Sequence, residues 1–373
     1  MKIAFYSPLD PTLVGGMRSW FIDFWRRYLA TRQATLRILT TGTRPSRQAE
    51  SYLSLPSDPR MSIARLQGAV LPGSGGRLPS ERALACSLEG CDVCYFDNGY
   101  ALQDVVVLNA SQKARVPVIS GHHAVIKFGG LHDIAWNSIG RRMLRRFDAV
   151  HALNRPDAHY LRSVGGRNVH RIPISIDLEA FIPRTQRAEQ FTVLFVGRLH
   201  YQKGIDRLIR IVEFAYKRYR DAMRFVIVGS GPLQSDLKRI ASFPNVMLHA
   251  SADRDTVAEF MARAHALIVP SRWETFGIVA AEALASGTPI LATDTAGMRE
   301  MAADGRGEII YKPDDPAVWC TTLEAMMARY QGDASYSGEV AAVARKYAEK
   351  AFAFERTAEL LDALIDSVVR LRR

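Results

Sequence analysis

Two glutamates eight residues apart, Glu274 and Glu282, are the residues of this sequence most suited to chemistry. Glu282 falls in a run of small apolar residues that reads as a helix, where a carboxylate is costly unless a ligand or partner compensates it. Eight helical residues rise about 12 Å, well beyond the roughly 5 Å that separates the carboxyl groups of a retaining glycosidase. The two are therefore expected to hold different parts of one ligand. Carboxylates accept hydrogen bonds from hydroxyls, which suits Glu274 to a sugar and Glu282 to a ribose. Between them Phe276, Gly277 and Ile278 open the helix, where free backbone amides attract phosphate.

A second set of residues supplies positive charge and bare backbone. Gly197-Arg198-Leu199 and Lys203-Gly204 place two cations five residues apart at a strand end and helix start. Two fixed cations with helix amides would neutralise a diphosphate and stabilise it as a leaving group; the plainer alternative is a surface Arg and Lys. Gly229-Ser230-Gly231-Pro232 forms a turn at which another chain or a nucleotide can come close. Gly15-Gly16 stands directly before a helix without forming a G-x-G-x-x-G fingerprint. A tight turn explains that pair about as well as a ligand does.

These residues lie where a parallel α/β sheet would present them. Short β-rich runs alternate with helical patterns, the signature of βαβ units. Strands are expected at Ile3 to Tyr6, Leu36 to Thr40, Val93 to Phe96, Val118 to Ser120, Ala149 to Leu153 and Val169 to Ile172. A similar set follows at Val193 to Val196, Phe225 to Val228, Val246 to Leu248, Leu267 to Val269, Ile290 to Ala292 and Ile309 to Tyr311. Ligands of such sheets bind beyond the carboxyl ends of the strands.

Met17, Trp20, Phe21, Phe24 and Tyr28 share one helical face, as do Val257, Phe260, Met261 and Ala264. Trp20 and Trp25, with arginines nearby, have a membrane-surface alternative, but packing on the sheet is the stronger expectation. The polar stretch 177–190 reads as a linker. It separates residues 1–176 from 191–350, and a terminal helix over 351–373, carrying Leu361, Leu364, Ile365 and Val368, has either domain to pack on.

At 373 residues and 48% hydrophobic, the chain exceeds what one core usually organises, so two domains are expected. It contains no run of about 20 apolar residues and does not begin with the pattern of a signal peptide, which points to the cytoplasm. Cys86, Cys91, Cys94 and Cys320 form no zinc-ligand spacing and are expected to be buried free thiols. The net charge of +11 draws anions of any kind. The arginine clusters at 26–27, 141–142, 145–146 and 370–373 lack the interleaved aromatics of a nucleic-acid platform, so no nucleic acid is expected.

The combination resembles the group 1, or family 4, retaining glycosyltransferases of the GT-B fold. Glu274 to Glu282 is similar to their E-x7-E motif, the run from Gly197 to Gly204 to their phosphate-binding pair, and Gly229 to Pro232 to their G-x-G-P loop; Pro289 and the turn from Gly297 to Glu300 extend the match. The resemblance implies an α/β fold of two Rossmann-like domains facing each other across a cleft, with the acceptor on the first and a nucleotide-sugar donor on the second. It implies that Arg198 and Lys203 hold the diphosphate, Glu282 the ribose and Glu274 the transferred sugar, with Ser271 among the donor contacts. It further implies that no metal or other cofactor is needed, because the cations replace it, and that configuration is retained by same-face attack. A histidine after the fourth main strand commonly reaches the donor sugar; His122 fits by its spacing from Ser120, with His123 as the alternative. The acceptor implied is a glycan or lipid-linked sugar, with peripheral attachment to an anionic membrane face.

The sequence departs from the family pattern at Pro173-Ile174-Ser175-Ile176-Asp177, where Asn and Gly are usual. The segment Leu53 to Pro79 matches nothing and reads as an acceptor-side loop. A sugar-nucleotide epimerase and a noncatalytic sugar-nucleotide-binding protein are the rival readings; a dinucleotide oxidoreductase is disfavoured by the missing fingerprint.

Overall fold

In the computed structural model, residues 1–8, 16–41, 58–70, 77–97, 101–122, 136–184, 186–305 and 307–370 are described. The chain divides into two units, Met1–Ile174 with Phe354–Arg373, and Ser175–Ala353.

In the first unit, β1 (Lys2–Ser7), β2 (Thr35–Thr40), β3 (Met61–Arg65), β6 (Val93–Asp97), β7 (Val118–His122), β8 (Ala149–Ala152) and β9 (Val169–Arg171) form a seven-stranded sheet in the order β3-β2-β1-β6-β7-β8-β9. All its pairings are parallel. β4 (Gly68–Val70) and β5 (Arg77–Pro79) make a separate antiparallel pair. Both faces of the main sheet are covered, which is why Ile3, Ala4, Phe5 and Tyr6 are all buried. Phe5, Tyr95 and Ile119 face the helices Gly16–Thr31 and Phe354–Arg370, while Tyr6, Leu39 and Phe96 face Glu81–Leu88 and Ala101–Ala114.

The terminal helix joins this first unit. Its stripe of Leu361, Leu364, Ile365 and Val368 is buried in the core beneath β1, as the i, i+3, i+4, i+7 spacing requires. Tyr28 Oη donates to Asp362 Oδ1 at 2.6 Å and Arg32 Nε to Asp362 Oδ2 at 2.7 Å, fastening the last helix to the first. Trp25 is buried edge-on to Phe5, Phe24 and Tyr28, so it belongs to the packing face.

The second unit repeats the plan with β10 (Phe191–Val196), β11 (Met223–Val228), β12 (Val246–His249), β13 (Ala266–Val269), β14 (Ile290–Thr293) and β15 (Glu308–Ile310), in the order β12-β11-β10-β13-β14-β15. Helices Ile205–Tyr219 and Pro316–Gly332 bury Leu208, Ile209, Val212, Trp319 and Leu323 on one face. The stretch read as a linker starts inside this unit and is anchored to it. Asp177 Oδ1 accepts from the amides of Glu179 and Ala180. The Arg187 guanidinium donates to the carbonyls of Ala264 and Gly287, to Thr288 Oγ1 and to Ser337 Oγ.

Every strand expected from the sequence is present, with ends displaced by at most two residues. Two expectations need correction. The acceptor-side loop read over 53–79 contains β3, which extends the first sheet beyond β2, and the β4–β5 pair; residues 53–57 and 71–76 of it lie outside the described ones. Cys86 is exposed rather than buried, because it points away from the buried stripe of Leu84, Ala85 and Leu88. Among the described residues no helix is long and apolar enough to cross a membrane.

Leu364 is fully buried in the first unit. Leu364→Ala should therefore cost about 2–5 kcal/mol in urea denaturation; a loss below about 0.5 kcal/mol, the level of an ordinary surface change, would mean the terminal helix is not part of that core.

Candidate active site

Strand order in the second sheet reverses between β10 and β13, and the loops leaving those strands carry Lys203 and Glu274. Lys203 Nζ lies 2.7 Å from Glu274 Oε2, with side chains 20% and 10% exposed, so the ion pair spans the switch point in a largely shielded position. Ser271 Oγ donates to the same Oε2 at 3.2 Å. Ser271 is itself buried, and its carbonyl accepts from Thr293 Oγ1 at the end of β14. Each end of the pair is thus set by backbone that leaves a central strand.

Glycines bring these loops together. Gly204 has φ +68°, and a Cβ there would stand 2.1 Å from the Pro270 carbonyl oxygen, so only glycine lets the β10 loop rest on the end of β13. A Cβ at Gly229 would come within 1.9 Å of the Gly197 carbonyl oxygen, and one at Gly231 within 2.5 Å of the Leu199 carbonyl oxygen. The Gly229 to Pro232 turn therefore admits a neighbouring chain, and Leu199 N–H donates to the Ser230 carbonyl across that contact at 2.8 Å. Gly197 differs. A Cβ there would meet the Phe195 ring at 3.6 Å and the Lys203 stem at 3.9 Å, ordinary contact distances, so its bareness keeps space open above Lys203 rather than relieving a clash.

Arg198 is exposed, and its side chain makes no hydrogen bond or ion pair among the described residues. Phe276 is buried against Phe352, with ring centroids 5.5 Å apart, and Gly277 caps the helix Ile278–Ala285 in a left-handed conformation. The amides of Ile278 and Val279 meet no acceptor among the described residues, as the first turn of a helix leaves them. Since the helix begins only at Ile278, the straight 12 Å rise expected between the glutamates does not apply: Glu274 to Gly277 are loop.

Glu282 keeps some exposed surface, but atoms crowd its carboxyl, and burial pushes its pKa up to about 8. Arg254 opposes this weakly from the start of the helix Arg254–Arg263, where it is also paired with Asp177 at 2.9 Å. No hydrogen bond to the Glu282 carboxyl is made by any described residue. Glu282 is therefore a largely neutral acid near pH 7, lacking the partner its position calls for.

Sequence reading passed over a clamp beside this pair. Arg272 binds both oxygens of Asp206 at 2.8 Å, donates to the Tyr201 carbonyl at 2.9 Å, and lies 3.8 Å from the Tyr201 ring centroid. Arg272 thereby locks the turn Tyr201–Lys203 to the loop bearing Glu274. Its signal was an arginine two residues before a functional carboxylate, which only the fold connects to Asp206.

Of the sites expected in the first unit, Gly16 opens the first helix and His122 ends β7. The His122 ring is buried, 5.5 Å from Trp136 in an edge-on arrangement. Gly15 and His123 lie outside the described residues. Strand order in this sheet reverses between β1 and β6, and there Ser7 Oγ donates to Asp97 Oδ2 at 3.0 Å, a second polar pair not singled out from the sequence.

Residues 190–329 match the family model described as glycosyl transferases group 1. The matched stretch lies within the second unit. A D-inositol 3-phosphate glycosyltransferase of Xylanimonas cellulosilytica is 26% identical over 98% of this chain and 95% of its own length. Among solved structures, sucrose-phosphate synthase from Thermosynechococcus elongatus superposes with a TM-score of 0.77 at 20% identity over 99% of each chain. Anabaena HepE, in complex with UDP and glucose, gives 0.76 at 18% identity over 98% of this chain and 100% of its own. The fold of this chain is thus GT-B.

Two outcomes test this geometry. Gly204→Ala should lower the melting temperature of the second unit and weaken anion binding together, since its Cβ pushes the β10 loop off Pro270; unchanged values for both would show that the contact is not required. Glu282 has a folded pKa of about 8 against an ordinary 4.5, so its cost to stability is absent below pH 4.5 and grows as pH rises toward 8. Glu282→Gln should therefore melt about 5 °C higher than wild type at pH 8.5 and within a degree of it at pH 4.5; a gain independent of pH would overturn this assignment.

Proposed function

We propose that the protein is a metal-independent, retaining glycosyltransferase that moves a hexose from a nucleoside-diphosphate sugar to a glycan or lipid-linked acceptor in surface polysaccharide or glycoconjugate synthesis. The observation that carries this reading is the set at the second switch point: exposed Arg198, Lys203 against Glu274, and the open amides of Ile278 and Val279. HepE, of the same fold, was crystallised with UDP and glucose, and the Xylanimonas relative is named for transfer to an inositol phosphate.

In this reading Arg198, Lys203 and the helix amides take the diphosphate as negative charge builds on the leaving group. The two cations supply the charge that a divalent ion supplies elsewhere. Gly197 leaves the room the phosphates need. Glu274 accepts from hydroxyls of the transferred sugar, and Glu282, which lacks a described partner, gains one in the ribose. The acceptor oxygen attacks the anomeric carbon on the face the diphosphate leaves, the departing phosphate takes the acceptor proton, and configuration is retained. His122, ending a first-unit strand, is assigned to the donor sugar.

A cytoplasmic enzyme attached to an anionic membrane face fits the charge. Arg142, Arg145 and Arg146 are exposed, and the chain carries +11 overall. Vesicles containing anionic lipid should pellet the protein at low salt and release it at about 0.5 M salt, where screening shortens to a few ångströms; failure to pellet at low salt would end that part of the reading.

Thermal stabilisation by UDP, GDP, ADP and their sugars, without added metal, tests the donor site. One base should raise the melting temperature by several degrees at a hundredfold excess over Kd, about 2.7 kcal/mol of linkage, and Glu282→Ala should reduce the shift. No shift with any nucleotide at millimolar concentration would overturn the donor assignment and favour a different ligand.

A further inference from the structure

The two residues assigned to different parts of the donor are bonded to each other. Lys203 Nζ and Glu274 Oε2 stand 2.7 Å apart, four-fifths or more shielded from solvent, while Arg198 remains exposed. The backbones that carry the two partners are held close together. The Lys203 turn rests on Pro270 through Gly204, Arg272 pins it to the loop of Glu274, and Ser271 holds the Glu274 oxygen that faces the ammonium. An ammonium has three donors and Glu274 occupies one, so an incoming phosphate finds Lys203 already neutralised by a fixed carboxylate.

We propose that Glu274 competes with the diphosphate for Lys203, and that this competition makes the site release its nucleoside-diphosphate product while retaining the intact donor. The inference rests on the donor-site reading above and adds a second role for Glu274. An intact nucleotide sugar offers both halves of a replacement: phosphate oxygens for Lys203 and sugar hydroxyls for Glu274. The spent nucleoside diphosphate offers only the phosphates. Once the sugar has left, Glu274 has no hydroxyl to accept from and its nearest donor is Lys203, which it takes back from the phosphate. The pair therefore biases the site against its own product, without any moving lid.

The test is titration calorimetry of the full chain at low ionic strength with UDP, GDP, ADP and inorganic pyrophosphate. Wild type, Glu274→Gln, Lys203→Ala and the double variant are compared, with melting temperatures checked for each. Gln keeps the shape of the side chain and removes the charge. Glu274→Gln is expected to bind the preferred diphosphate about tenfold more tightly than wild type, while losing affinity for the matching nucleotide sugar or gaining none; tenfold is about 1.4 kcal/mol. Lys203→Ala should weaken diphosphate binding, and in that background Glu274→Gln should bring no gain, because the competed-for cation is gone. A merely structural role for Glu274 predicts weaker binding of every ligand.

If Glu274→Gln leaves diphosphate affinity unchanged or lower while Lys203→Ala still weakens it, the competition is overturned and the donor site stands. If the gain persists without Lys203, the carboxylate acts by general repulsion and the proposal is wrong. If no diphosphate binds wild type or Glu274→Gln, both the competition and the donor-site reading fail.

Discussion

Everything at the second unit's switch point depends on loops packed more closely than side chains allow. Gly204 against Pro270, Gly229 against Gly197 and Gly231 against Leu199 set backbones at distances no Cβ tolerates. Gly297 does the same on the other side, where a Cβ would come within 2.7 Å of the carbonyl oxygens of Thr275 and Phe276. The strands leaving the sheet are thus tied to one another immediately beyond their ends. That tie gives Lys203 and Glu274, 71 residues apart in the chain, a fixed separation. Precision comes from main chain rather than from long side chains, whose rotamer entropy would otherwise blur the site.

Charge then follows from geometry. Taking a lysine and a glutamate mostly out of water is costly, and the pair offsets this by being short and by the further hydrogen bond from Ser271 to Glu274. Arg272 and Asp206 repeat the solution a few ångströms away with two parallel contacts of 2.8 Å, and the clamp lowers the Asp206 pKa while raising that of Arg272. Glu282 is the exception. Burial there outweighs the opposing charge of Arg254 and pushes its pKa up to about 8.

The two sheets share one plan yet differ at the same place. In the first, the reversal between β1 and β6 is spanned by a hydroxyl on a carboxylate, Ser7 to Asp97; in the second, the reversal between β10 and β13 is spanned by an ammonium on a carboxylate. A parallel sheet with helices on both faces leaves only such reversals as crevices. Duplicating the plan supplies two of them, which differ in the residue types at their strand ends. The terminal helix has a structural part in this, since residues from Phe354 onward complete the core under β1 and hold that reversal rigid from below.

How much was legible in the sequence follows from the range of the interactions involved. Strands covered by helices on both faces are uninterrupted apolar runs, so their period and position could be read directly; Arg198, Lys203 and Glu274 stand in the loops leaving them, and Glu282 in the helix that follows. β3 escaped because its burial is partial along its whole length, giving Met61 to Arg65 no apolar run, and because a glycine- and proline-rich neighbourhood disguised it as loop. Arg272, Asp206 and Arg187 escaped for another reason: their partners are distant in sequence, and a single arginine carries no pattern until the fold supplies its carboxylate or carbonyls. The glycines were visible but their purpose was ambiguous. A bare residue at a strand end serves a ligand or a neighbouring chain equally well on paper, and only the distances separate Gly229, where a Cβ would stand 1.9 Å from a carbonyl oxygen, from Gly197, where a Cβ would make only ordinary contacts. Glu282 was as visible in its apolar helix, and the fold adds what its surroundings do: crowding raises its pKa to about 8 against the opposing charge of Arg254, which only the fold brings near.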